Sequence, residues 1–81
     1  MTEMLSADQQ GVSRGTEIIR SFFEENGVRN ARTVLLAEEA MLDLVQHTEE
    51  NSQLSVSMKR FLGTITVEIS AKGEEYHLAT D

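Results

Sequence analysis

The sequence predicts an α+β two-layer sandwich, two helices packed on an antiparallel β-hairpin or small sheet. Between residues 14 and 50 apolar side chains recur at three- and four-residue intervals, whereas beyond residue 52 they alternate with polar ones. Helical and extended segments are therefore segregated along the chain, which argues against an alternating parallel βαβ arrangement. The complete absence of proline from the 81 residues favours regular elements over long ordered loops.

Residues 1–13 are polar, with scattered Met4, Leu5 and Val12, and are expected to form a flexible N-terminal segment. Gly11 and Gly15 would each cost a helix about 1 kcal/mol. Ser6 and Gln9 have the spacing of a capping box, so a helical start is the alternative reading. The remaining residues, 14–81, form a single α+β domain. Its first helix presents Ile18, Ile19, Phe22 and Phe23 on one face and stops at Asn26-Gly27, a left-handed termination signal.

Asn30 is the expected N-cap of a second helix over residues 31–50, about 30 Å long if fully helical. Val34, Leu35, Ala37, Met41, Leu42 and Leu44 give it a wide apolar face, which predicts a central buried helix. The opposite face holds Glu38, Glu39, Asp43, Gln46 and His47. Next, Leu54, Val56 and Met58 alternate with polar residues, as do Ile65, Val67 and Ile69. Each run predicts a half-buried strand, and Leu62-Gly63 joins them in a tight turn. Ala71-Lys72-Gly73 supplies a second turn before a short last strand at Tyr76, His77 and Leu78.

Composition narrows the function. Fourteen acidic residues against 7 basic ones leave a net charge of −7, which would repel a phosphate backbone, so no nucleic acid partner is expected. No apolar run reaches the about 18 residues of a membrane span, and the first ten residues lack a secretory signal pattern. A cytoplasmic protein without direct membrane insertion is expected. A domain this small buries only roughly 60% of the surface its unfolded chain exposes. With no cysteine to form a disulfide, a protein partner or a homodimer is a plausible source of further burial.

Glu39, Asp43 and His47 stand one helical turn apart, so they form a single stripe on the polar face. Acid pairs at that spacing are common on solvated helices. A transition-metal site built on the stripe would need a further ligand from another element, and His77 is the candidate. No serine lies in a nucleophile-elbow context.

The stripe and the segment "ITVEISAKGEEY" that follows the hairpin together resemble the GHKL superfamily, the ATP-binding domain of histidine kinases and anti-sigma-factor kinases. The likeness covers about residues 30 to 77. In that family a long helix carries Glu-x-x-x-Asn, often with a histidine four residues on, and a hairpin then leads into Asp-x-Gly-x-Gly. The resemblance implies a partial or degenerate Bergerat-type ATPase fold. It implies Glu39 as the catalytic base, Asp43 as the Mg²⁺ ligand, and Asp43, His47 and Gly73 as nucleotide-binding residues, with Mg-ATP as cofactor. Asp43 stands where the family has asparagine, Ser70 and Ala71 stand in place of the adenine-binding aspartate, and Glu75 takes the place of the second glycine.

The function so implied is a regulatory or nucleotide-sensing ATP-binding module, inactive as an isolated chain. If active, it would be a Mg-dependent ATPase or an anti-sigma-like protein kinase. The alternative is a non-catalytic protein-interaction or dimerisation module that has lost the nucleotide.

Overall fold

The computed structural model describes residues 1–49 and 52–80. The elements run β1 (Thr2–Ser6), α1 (Gln9–Glu25), α2 (Ala31–Gln46), β2 (Gln53–Phe61), β3 (Thr64–Ala71) and β4 (Glu74–Ala79). The strands form one antiparallel sheet in the order β1-β2-β3-β4, with both helices on one face. The architecture is the α+β sandwich that the change of period predicts.

The core lies between the two layers. Strand alternation sends Leu54, Val56 and Met58 of β2 and Ile65, Val67 and Ile69 of β3 inward, all essentially buried. The helices meet them with Ile19, Phe23, Met41 and Leu44, and Ala37 and Ala40 let α2 approach closely. Fully burying one such large side chain is worth about 1.5–3 kcal/mol. The outer face of the sheet is polar, with Ser55, Ser57, Thr66, Glu68 and Ser70 along β2 and β3. That alternation fixes the register, since a one-residue slip would turn the apolar set into water.

Both hairpins close through two-residue turns with two successive positive φ angles, Leu62 at 50° and Gly63 at 83°, then Lys72 at 44° and Gly73 at 88°. That is the type I′ geometry whose twist matches the flanking strands. Glycine satisfies the second position of each turn at no steric cost.

The first 13 residues depart from the expected flexible segment. Residues 2–6 form β1, which pairs with β2 from Thr2↔Ser57 to Ser6↔Gln53, and α1 begins at Gln9, inside the segment expected to be flexible. Asp8 is the N-cap, accepting from the Gly11 N–H at 2.9 Å, while the Ser6 hydroxyl donates to the same carboxylate oxygen at 2.8 Å. Both bonds favour the charged form and hold the Asp8 pKa below its ordinary value. The glycines that argued against a helix are there for close packing. A Cβ on Gly11 would sit 1.6 Å from the Ser6 carbonyl oxygen, and one on Gly15 would sit 2.6 Å from Met41 Sδ.

Helix α2 starts as predicted, with the Asn30 side chain accepting from the Thr33 N–H at 2.9 Å. It ends at Gln46, earlier than expected, with His47 as C-cap; Glu50, the expected last residue, lies outside the described residues. Nor is it buried all round. Leu35 is 54% exposed and Leu42 39%, so the face that packs on the sheet is narrower than the apolar pattern suggested. Among the described residues, no helix is long and apolar enough to cross a membrane.

Candidate functional site

The exposed side of α2 and the start of β4 meet at one end of the sandwich. Asp43, His47, Glu74, Glu75 and Tyr76 line a shallow depression of about 480 Å³ there. Each arrives by a simple rule. Asp43 and His47 are one helical turn apart. Tyr76 pairs with the inward-facing Ile69 of β3, so its ring lies on the helix-covered face of the sheet.

The contact that closes the depression is between those elements. The Tyr76 hydroxyl donates to Asp43 Oδ2 at 2.5 Å, within the range of bonds to an ionised carboxylate. This bond favours the neutral phenol and, together with partial desolvation and the negative charges of Asp43 and Glu74, raises the Tyr76 pKa above its ordinary value. His47 Nδ1 lies 2.8 Å from the Asp43 carbonyl oxygen and 3.6 Å from Asp43 Oδ1. A carbonyl only accepts, so this contact is a hydrogen bond when Nδ1 carries the proton.

The structure brings Asp43 and His47 together and leaves Glu39 apart. Glu39 is exposed one turn earlier on α2 and does not line the depression. Gly73 does not line the depression; it sits in the β3–β4 turn just before Glu74, with nothing within 4 Å of where a Cβ would be, and its positive φ accounts for the glycine there. Ser70 and Ala71, at the family's adenine-aspartate position, close β3 and pair with Glu75 and Glu74 in a regular ladder. In the segment "GEEY", which sequence leaves as either an exposed turn or a recognition loop at a nucleotide pocket's mouth, the structure sets Glu74, Glu75 and Tyr76 beside Asp43 and His47. The available signal was parity: Tyr76 and Leu78 alternate with His77, which puts the tyrosine on the covered face.

A magnesium-bound nucleotide needs an oxygen ligand for the metal and N–H or cationic donors for the phosphates. With Tyr76 on Oδ2, Asp43 keeps Oδ1 as a ligand oxygen. Among the described residues, no lysine or arginine lines the depression, and Lys72 at the adjacent turn is held by Glu49 Oε2 at 2.8 Å. Nor do three or more His, Asp or Glu side chains cluster closely enough to hold a metal ion. Among the described residues, the depression offers carboxylate oxygens and the His47 imidazole and provides no phosphate cradle for a hydrolytic step.

A larger groove, about 850 Å³, runs between α1 and α2 away from this end. Phe23, Val28 and Leu35 form part of its wall, and Arg20 and Arg29 share it with Glu24 and Glu38. It holds neither Asp43 nor His47, so the residues implied by the resemblance belong to the smaller depression. Comparison of the chain with protein-family models, curated proteins and solved structures returned no match.

Proposed function

We propose that this chain is a degenerate GHKL-like nucleotide-sensing module that binds without hydrolysing and serves a regulatory role. The observation that supports this most is the convergence of Asp43 and His47, in the family's helix spacing, on the hairpin end where Gly73 lies. In this reading Asp43 Oδ1 ligates Mg²⁺, the imidazole of His47 lines the ligand's edge, and Glu39, outside the depression's wall, positions no water. Mg²⁺, when bound, supplies neutralisation of phosphate charge, for which the depression has no lysine or arginine among the described residues. A thermal-shift series with Mg-ATP, Mg-ADP and no nucleotide tests the reading. A ligand at about 100 times its dissociation constant stabilises by about 2.7 kcal/mol, several degrees in a domain of this size. The shift is expected in the wild type and lost in Asp43→Ala; an unchanged melting temperature in millimolar Mg-nucleotide overturns it.

A second reading, a protein-interaction or dimerisation module, is favoured by the Tyr76–Asp43 bond. It occupies one oxygen of the proposed ligand carboxylate with a contact inside the fold. This reading expects a melting temperature that rises with protein concentration and ignores nucleotide. A concentration-independent melting temperature counts against it.

A further inference from the structure

We infer that two copies of this chain pair antiparallel through the free edge of β4, with Tyr76 on the two-fold axis and Glu75 of each copy opposite His77 of the other. The inference deepens the interaction reading and stands whether or not a nucleotide binds.

Hydrogen-bond parity shows which groups the edge offers. The Thr80 N–H donates to the Ile65 carbonyl at 3.0 Å, so Thr80 faces β3. Alternation along an antiparallel ladder then turns Leu78, Tyr76 and Glu74 toward β3 and leaves the N–H and C=O of Glu75, His77 and Ala79 pointing away from the sheet. Among the described residues, only the acidic Glu74 and Glu75 at the start of the strand blunt that edge. Its register with β3 runs without a bulge from Ala71↔Glu74 to Thr66↔Ala79, and "EEYHLA" contains neither lysine nor proline.

The opposite edge of the sheet is covered at one end. Ala7 and Met1 bond to β2, through the Ala7 N–H to Ser52 O and the Met58 N–H to Met1 O, so Thr2, Met4 and Ser6 point outward. The outward Ser6 carbonyl abuts the first turn of α1 so closely that only a glycine fits at position 11. An incoming strand would find that end of β1 occupied by the helix, whereas among the described residues no strand pairs with the outer edge of β4.

Charge selects the partner and the register. A two-fold pairing must match outward residues with outward residues. Centring it between Glu75 and itself sets two carboxylates against each other, and centring it on His77 does the same with two imidazoles. Centring on Tyr76 places Glu75 opposite His77 twice, on the polar outer face, while the two Tyr76 rings meet on the helix side. Within one copy, His77 Nε2 already lies 2.9 Å from Glu75 Oε2, so pairing assembles four alternating groups. The edge is thus complementary to itself, the property that an isologous interface requires.

Six residues of edge make a small contact, and a weak, concentration-dependent dimer follows. Sedimentation equilibrium from micromolar to millimolar concentration is expected to show monomer passing to dimer. His77→Glu, which sets acid against acid, should abolish the transition, and the double exchange Glu75→His with His77→Glu should restore it. In a chain without cysteine, Tyr76→Cys should also cross-link to a covalent dimer under mild oxidation, a readout that survives if one charge variant fails to fold. A dimer indifferent to the charge variants, or no cross-link through position 76, overturns the β4 register and leaves the interaction reading standing. A monomer at every concentration overturns both.

Discussion

Tyr76 on β4 donates its hydroxyl to Asp43 on α2, a link of 33 residues in sequence between the last strand and the stripe of the second helix. Tyr76 is the only tyrosine and there is no tryptophan, so phenolate absorbance in this protein belongs to that ring alone. Its pKa is raised above 10.0, chiefly by the bond to Asp43. The bond's contribution to stability is therefore fully present below the unfolded value and lost as pH rises through the raised one. Ultraviolet titration should show the ionisation midpoint falling back toward the ordinary value in Asp43→Ala. A midpoint that does not move with the substitution would mean that the bond does not persist in solution.

The two glycines of α1 should respond very differently to alanine. Helix propensity favours either substitution by about 1 kcal/mol. At Gly11 the new Cβ would fall 1.6 Å from a backbone oxygen of β1, so strand and helix must separate. At Gly15 it meets the Met41 side chain, which can change rotamer. Gly11→Ala is expected to cost about 3 kcal/mol or more, and Gly15→Ala about 1 kcal/mol, the upper and lower parts of the range for overpacking. Urea denaturation measures both, and equal costs would contradict the close β1–α1 approach.

The layer architecture, both hairpin turns and the Asn30 cap were legible because each depends on local pattern: period, positive-φ chemistry and a capping side chain. The first 13 residues were not. The apolar content of β1 is confined to a few residues such as Met4 and Leu5, and its pairing partner lies some 50 residues away, as in Thr2↔Ser57, so no local signal marks it. Gly11 and Gly15 read as helix breakers because sequence shows the loss of propensity and not the neighbour that demands the missing Cβ. Of the site, helical spacing gave Asp43 and His47. Their meeting with Tyr76 is tertiary and depended on how α2 lies across β4.

The N-cap of α1 predicts an acid response. Asp8 has its pKa lowered first by the Gly11 N–H and then by the Ser6 hydroxyl. A depressed carboxylate contributes stability above its unfolded pKa, and that contribution disappears as pH falls through the folded value, below 3.8. Asp8→Asn keeps an acceptor for Gly11 and removes the titration. Its melting temperature should fall less steeply between about pH 5 and pH 2 than that of the wild type. Parallel curves would exclude Asp8 as a source of acid sensitivity.

Leu62 offers a route to a more stable protein. It is 88% exposed and sits at φ 50°, where a leucine side chain crowds its own backbone. Asparagine adopts that conformation readily and is the preferred first residue of a type I′ turn before glycine. Leu62→Asn gives up almost no burial and should stabilise by about 1 kcal/mol, raising the melting temperature by about 4–8 °C. Lys72 has the same geometry at φ 44° but pairs with Glu49, so Lys72→Asn should gain less. Calorimetry of the two variants checks the order, and a destabilised Leu62→Asn would show that Leu62 is buried by a partner in solution.

The nucleotide reading predicts where a ligand is felt. If Mg²⁺ is held at Asp43 Oδ1, the charge on that carboxylate is shared between the metal and Tyr76, and the ring resonances of Tyr76 and His47 should move together on adding Mg-ATP at neutral pH. Residues of the α1–α2 groove, such as Val28 and Val34, should stay in place. The groove is the obvious competitor because it contains Arg20 and Arg29, the cationic side chains missing from the smaller depression. A heteronuclear titration separates the two sites. Shifts confined to Val28 and Val34 and lost in Arg29→Ala would move the anion to the groove and reduce Asp43 to a partner for Tyr76. Shifts at Tyr76 and His47 that vanish in Asp43→Ala, or when magnesium is chelated, would place the ligand on the helix stripe.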